Sequence, residues 1–141
     1  TKTPTPTKKP SPTPTKTPTP TATNTPTQTP TPSPTPIVFQ VTGVTANYVG
    51  STGTCPPGSK THTFGGNITV NAAGTVTYRW TRSDGSPGSG KSLVFAGAGT
   101  LPAEQNTWAL SGDSYTGWQK IEILTPNTLS SSEANFSHTC P

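Results

Sequence analysis

An all-β, antiparallel β-sandwich of about seven strands, preceded by an extended stalk, is the fold this 141-residue sequence predicts. Three observations carry that reading. Residues 1–36 are a near-continuous Thr-Pro repeat with nothing to contribute to a core. Downstream, short runs of alternating apolar and polar residues recur between turns rich in Gly, Asn, Pro and Ser. No stretch sustains a helical period.

The opening segment, TKTPTPTKKPSPTPTKTPTPTATNTPTQTPTPSPTP, holds 15 Thr, 12 Pro, 4 Lys and no acid. Ala22 is its only apolar side chain besides proline. So little apolar surface cannot offset the entropy lost on ordering, so no core is expected there. Each proline fixes its own φ and biases the preceding residue to extended backbone, which favours polyproline II. At about 3.1 Å per residue the segment would reach roughly 110 Å. The expected division is a stalk over 1–36 and a sandwich domain over 37–141. Thr and Ser beside proline form a mucin-like composition that predicts O-glycosylation and therefore covalent glycans on the stalk. The candidate acceptors are Thr3, Thr5, Thr13, Thr17, Thr19, Thr25, Thr29, Thr31, Ser33 and Thr35.

The net charge of +4 belongs entirely to this segment, through Lys2, Lys8, Lys9 and Lys16. In the remainder Lys60, Arg79, Arg82, Lys91 and Lys120 balance Asp84, Glu104, Asp113, Glu122 and Glu133. A nucleic-acid partner needs a basic face on the folded part, and none is expected here. No apolar run is long enough for a membrane-spanning helix, so no membrane insertion is expected in this segment. The chain begins with Thr and lacks methionine, which predicts a processed or excised piece of a longer product. Cys55 and Cys140 bracket most of the domain; with the stalk they predict one disulfide and an extracellular or cell-surface setting. Two Cys plus His62 and His138, without close pairing, are too few for a metal site, and no cofactor is expected.

The strands follow in order. Phe39, Val41, then Val44, Ala46 and Tyr48 alternate with polar residues, and Gly43 at the change of phase predicts a bulge. GSTGTCPPGSK is turn chemistry around Cys55. His62, Phe64, Ile68 and Val70 make a second strand interrupted by a Gly pair, and NAAG at 71–74 reads as a hairpin connection to the next. In TVTYRWTRS the residues Val76, Tyr78 and Trp80 share one face. DGSPGSG is a loop, SLVFAG a short strand with Leu93 and Phe95, and NTWALS a strand with Trp108 and Leu110. PAEQNTWAL has room for one helical turn at most. Thr116 to Leu124 places Ile121 and Ile123 on one face and Trp118 on the other, and Ala134, Phe136, His138 and Cys140 alternate to the end. Seven such strands argue for a sandwich of immunoglobulin or fibronectin type III kind.

Two passages carry a resemblance: TVTYRWTRSDG (75–85) and GWQKIEILTPNTLSSSEANFSHTC (117–140). With the stalk before them they resemble Ig-like domains of bacterial surface and secreted proteins, including ectodomains of some bacterial Ser/Thr receptor-like kinases. The likeness spans residues 37–141 and implies a fold more than an activity. It implies that Trp80 takes the place of the core Trp on strand C. The cysteines depart from the antibody pattern, in which the bridge joins strands B and F, so no antibody-type specificity carries over.

Gly85-Ser-Pro-Gly-Ser-Gly90-Lys91-Ser92 matches the G-x-x-x-x-G-K-S phosphate-loop pattern. That chemistry needs the loop to open a helix, whereas LVFAGAGT follows, so a hairpin loop is expected. The scattered acids offer no paired carboxylates, and bridged cysteines leave no thiol nucleophile. His138 shares the parity of Phe136 and Cys140, which favours packing over base chemistry. No catalytic residue and no enzyme activity are expected. Exposed aromatics are the candidate glycan contacts: Trp108, Tyr115 and Trp118 could stack on sugar faces. Asn67-Ile-Thr69 and Asn135-Phe-Ser137 match the N-glycan acceptor pattern as short strings within strands.

The residues thus predict an extracellular structural or adhesive module on an O-glycosylated stalk, with self-association into a glycosylated fibre as its specific form. A carbohydrate-binding module with a surface polysaccharide as partner is one alternative. The sensor ectodomain of a signalling receptor is the other.

Overall fold

Alternation is what makes strands here, because a period of two sends one set of side chains inward and leaves the other in water. The computed structural model describes residues 1–20, 33 and 35–140. Contacts divide the chain into one unit at Thr1–Pro34 and another at Thr35–Pro141. In the first, residues 1–20 contain no helix or strand and every side chain is exposed.

Among its described residues the second unit has nine strands: β1 (Val41–Gly53), β2 (Lys60–Val70), β3 (Gly74–Arg82), β4 (Lys91–Phe95), β5 (Gly99–Pro102), β6 (Asn106–Leu110), β7 (Ser114–Thr125), β8 (Leu129–Ser130) and β9 (Ala134–Thr139). No helix occurs among the described residues, and none is long and apolar enough to cross a membrane. All pairings between these strands are antiparallel. One sheet runs β1-β2-β5, with β6 also on β2; the other runs β4-β3-β7-β8, with β9 also on β7.

The count of nine, against about seven expected, has a simple origin. β5 pairs with Asn67–Val70 of β2 and β6 with Lys60–Phe64, so the two are successive pieces of one strand line along the same edge. β8 and β9 divide the free edge of β7 in the same manner. Between β5 and β6 the Glu104 backbone is held by two core side chains: its N–H donates to the Tyr78 hydroxyl (2.9 Å) and its carbonyl accepts from Trp80 Nε1 (3.0 Å). That detour occupies the segment where one helical turn had room to form.

The bulge expected at Gly43 is present as a register shift between Val41 and Gly43. The NAAG segment, by contrast, does not close a hairpin. β2 and β3 lie in different sheets, and Asn71–Ala73 carries the chain across from one to the other. Both strands bury a single face, and period two cannot distinguish neighbours in one sheet from strands facing each other across the core. The crossing is fixed by Asn71, whose Oδ1 accepts from Gln40 N (2.8 Å) and whose Nδ2 donates to Val38 O (2.9 Å).

The inner faces interlock through Phe64, Ile68, Val76, Tyr78, Trp80 and Ile121, each almost wholly buried. Gly66 is required by this approach, since a Cβ there would lie 2.2 Å from Thr45 O and 2.7 Å from Ile121 Cδ1. Asn127, just after β7, reaches the other sheet: its Oδ1 accepts from Val41 N (2.8 Å) and its Nδ2 donates to Val41 O (3.1 Å).

Candidate functional site

The cysteines meet as expected. Cys55, in the β1–β2 turn, is bonded to Cys140, just past β9, with Cα atoms 5.6 Å apart and a separation of 85 in sequence. The bridge ties one sheet to the other at one end of the domain. Closing so long a loop is worth ~4–5 kcal/mol in the chain-entropy account, and often less in practice.

Just inside this bridge lies a polar relay. His62 on β2 is fully buried and His138 on β9 nearly so. His62 Nε2 and His138 Nδ1 are 2.9 Å apart. Tyr48 Oη lies 3.1 Å from His62 Nδ1, and His138 Nε2 lies 3.3 Å from Gly112 O. The bonding order follows from its end. Gly112 O only accepts, so His138 Nε2 carries hydrogen and, in a neutral ring, His138 Nδ1 accepts. His62 Nε2–H therefore donates to His138, and the Tyr48 hydroxyl donates to His62 Nδ1. Every nitrogen of the neutral pair is satisfied. Burial, then the charges of His138 and Lys60, lower the pKa of His62 below its ordinary value. Parity alone placed His138 inward; nothing in the sequence placed His62 against it.

The candidate glycan contacts do not assemble into one platform. Trp108 is inward, 6% exposed, and packs edge-on against Tyr115 (5.2 Å) and Phe136 (5.6 Å). Arg82 covers its ring at 4.8 Å. Tyr115 is half-buried, 5.2 Å from that Trp108 ring. Trp118 lies on the opposite face of β7, half-buried, with Lys120 Nζ 5.4 Å above its ring. It faces Asn135 in the β7–β9 register.

The acceptor candidates Thr3, Thr5, Thr13, Thr17, Thr19, Ser33 and Thr35 are exposed, while Thr25, Thr29 and Thr31 lie outside the described residues. Asn67 and Asn135 are exposed on their strands.

The phosphate-loop lookalike is the connection between β3 and β4, and a strand follows it where a helix would be needed. Three of its amides are already engaged: Gly85 N donates to Arg82 O (3.0 Å), Ser86 N to Asp84 Oδ1 (2.9 Å) and Gly88 N to Trp80 O (2.7 Å). Gly85 supplies the left-handed backbone (φ 80°) that the turn needs. A cavity of about 210 Å³ beside it is lined by Trp80, Arg82, Ser86, Asn106 and Thr107 among others.

The acids are mostly spent on neighbouring cations. Arg79 binds Glu122 (2.9 Å), Arg82 binds Asp84 (3.0 Å), Lys91 binds Glu104 and Lys120 adds to Glu122 at 3.6 Å. Burial opposes the Glu122 charge, yet Arg79 and Lys120 outweigh it and hold the carboxyl below its ordinary range. No group of three or more His, Cys, Asp or Glu able to hold a metal ion occurs among the described residues.

No protein family and no curated relative matches this chain. Among solved structures, the chain described as "X-ray structure of Northeast Structural Genomics Consortium target SoR45" is similar at 17% identity. The match covers 73% of this chain and 87% of that one with a TM-score of 0.30, too slight a likeness to carry fold or function.

Proposed function

We propose that this chain is an extracellular structural or adhesive module: an Ig-like sandwich carried on an O-glycosylated Thr-Pro stalk, in its specific form a subunit of a glycosylated fibre. The observation that carries the reading is the union of two features in one chain. One is a proline-locked segment with 15 Thr and no acid; the other is a disulfide-closed β domain whose charges are largely paired. The first supplies reach and sites for sugar. The second supplies a body that resists unfolding in an oxidising setting. No catalytic role enters the proposal.

The immunoglobulin kinship belongs to the same proposal. β1, β2 and the β5/β6 line follow the order of strands A, B and E, and β4, β3, β7 and the β8/β9 line that of C′, C, F and G. Trp80, buried on β3, stands where the core Trp of strand C would. The disulfide instead joins the turn after the first strand to the end of the last. Fibre formation would use the sheet edges, among them β4 and the β5/β6 line, whose outward backbone groups could pair with a second copy. The carbohydrate-binding alternative draws less support, because Trp108 and Tyr115 pack together and Trp118 stands apart on the other face.

Intact mass of native material tests the reading. A mass above the bare chain, with the excess mapping to peptides from residues 1–36, is the expected result. A mass equal to the chain less the two hydrogens of the disulfide would remove the glycosylated stalk.

A further inference from the structure

We propose that the Tyr48–His62–His138–Gly112 relay is an acid-operated latch between the two sheets: the closed sandwich accepts at most one proton at this pair, and acid opens that end while the disulfide keeps it tethered. The neutral relay runs in one direction, from the Tyr48 hydroxyl to the Gly112 carbonyl, with no spare acceptor between the rings. A first proton on His138 Nδ1 turns that atom into a donor. His62 must then accept at Nε2 and donate from Nδ1, and the Tyr48 oxygen becomes the acceptor. The relay reverses but stays bonded. A second proton would set two N–H donors head-on across 2.9 Å, with two positive charges in a buried site. The rings have to separate before both are charged.

Among the described residues no carboxylate pairs with either ring. The titratable groups on the surrounding elements are Tyr48 on β1, Lys60 on β2, Tyr115, Lys120 and Glu122 on β7, and Asp113 in the β6–β7 turn; β6 adds none, and β9 only His138. The charges that act on His62 are those of His138 and Lys60, and both oppose protonation. The rings belong to β2 and β9, one in each sheet, so separating them parts the sheets. Cys140 lies two residues beyond His138, so the disulfide limits how far the opened end can move.

The sign follows from linkage. The folded state holds His62 below its ordinary value, so below about pH 6.5 the unfolded chain binds more protons than the folded one. Stability is complete above that pH and falls as pH drops. A one-proton difference raises the unfolding constant about tenfold per pH unit.

The test uses the full chain with its disulfide intact. Imidazole resonances followed by NMR from pH 8 to pH 4.5 should show the pair titrating in two separated steps, the later one accompanied by shifts in β2 and β9 amides. Thermal unfolding across pH 7 to 5 should show the proton-linked slope in the native chain and a flatter one in His138→Gln. Two histidines that titrate independently near 6.5 while the strands stay unchanged would overturn the latch. So would a His138→Gln variant with the native slope. If that variant fails to fold, the NMR titration of the native chain decides alone.

Discussion

At one end of the sandwich Val41, Ile68, Val70, Val76, Phe95 and Ile123 are buried against one another, and at the other His62 and His138 meet beneath a disulfide. The first end is held by dispersion and the exclusion of water, with Asn127 as its only polar clamp across to Val41 among the hydrogen bonds described. The second depends on donors and acceptors that must stay in order, and on one covalent bond. Between them Phe64, Trp80 and Ile121 form a common middle. The contrast teaches that one domain can have a pH-indifferent end and a pH-dependent end although the histidines of one are buried much like the aliphatic side chains of the other. Burial measures what is removed from water, and the chemistry of the buried atoms decides what conditions can undo it.

The sharpest way to break the contrast is to damage the aliphatic end. Ile68→Ala should cost about 2–5 kcal/mol by denaturant unfolding, and the loss should be the same at pH 8 and pH 5. Next in size is the disulfide. Reducing Cys55–Cys140 should cost about 2–4 kcal/mol, and calorimetry should show a larger drop in Tm at pH 5 than at pH 8. Gly66→Ala strikes the shared middle, where a Cβ would meet Thr45 O at 2.2 Å, and should cost about 1–3 kcal/mol at any pH. The smallest effect belongs to the surface. Arg79→Ala should lower stability by no more than about 1 kcal/mol, and less in high salt. Glu122 is held below its ordinary range, so the pair contributes fully above the usual carboxylate pKa and is lost as pH falls from there through the lowered folded value. That window lies well below the histidine one.

The aliphatic end was largely legible in the sequence. Val76-x-Tyr78-x-Trp80 and Ile121-x-Ile123 announce both their strands and the faces they bury, because a side chain's parity is a local property. The disulfide was legible too, since a chain with only two cysteines leaves each a single possible partner. The polar end was not. His62 and His138 are 76 residues apart, and only the crossing of β2 and β9 from opposite sheets brings them together. The same blindness to sheet membership made NAAG look like a hairpin. Asn127, Gln119 and Asn106 fall in this class as well: the Asn106–Gln119 hydrogen bond (2.7 Å) links β6 to β7 and has no sequence signature. Trp108 misled for a related reason. Its position alternates correctly, but whether an aromatic on an edge strand faces core or solvent is settled by Tyr115 and Phe136, which reach it from the other sheet.

Hydrogen exchange compared at pH 7 and pH 5, corrected for intrinsic rates, separates the two ends in one measurement. Backbone amides of His62–Phe64 and of Phe136–Thr139 should lose protection in acid, while those of Ile68–Val70 and Val76–Trp80 keep theirs. A uniform change across both groups, or none at the histidine end, would contradict a sandwich closed by different chemistry at its two ends.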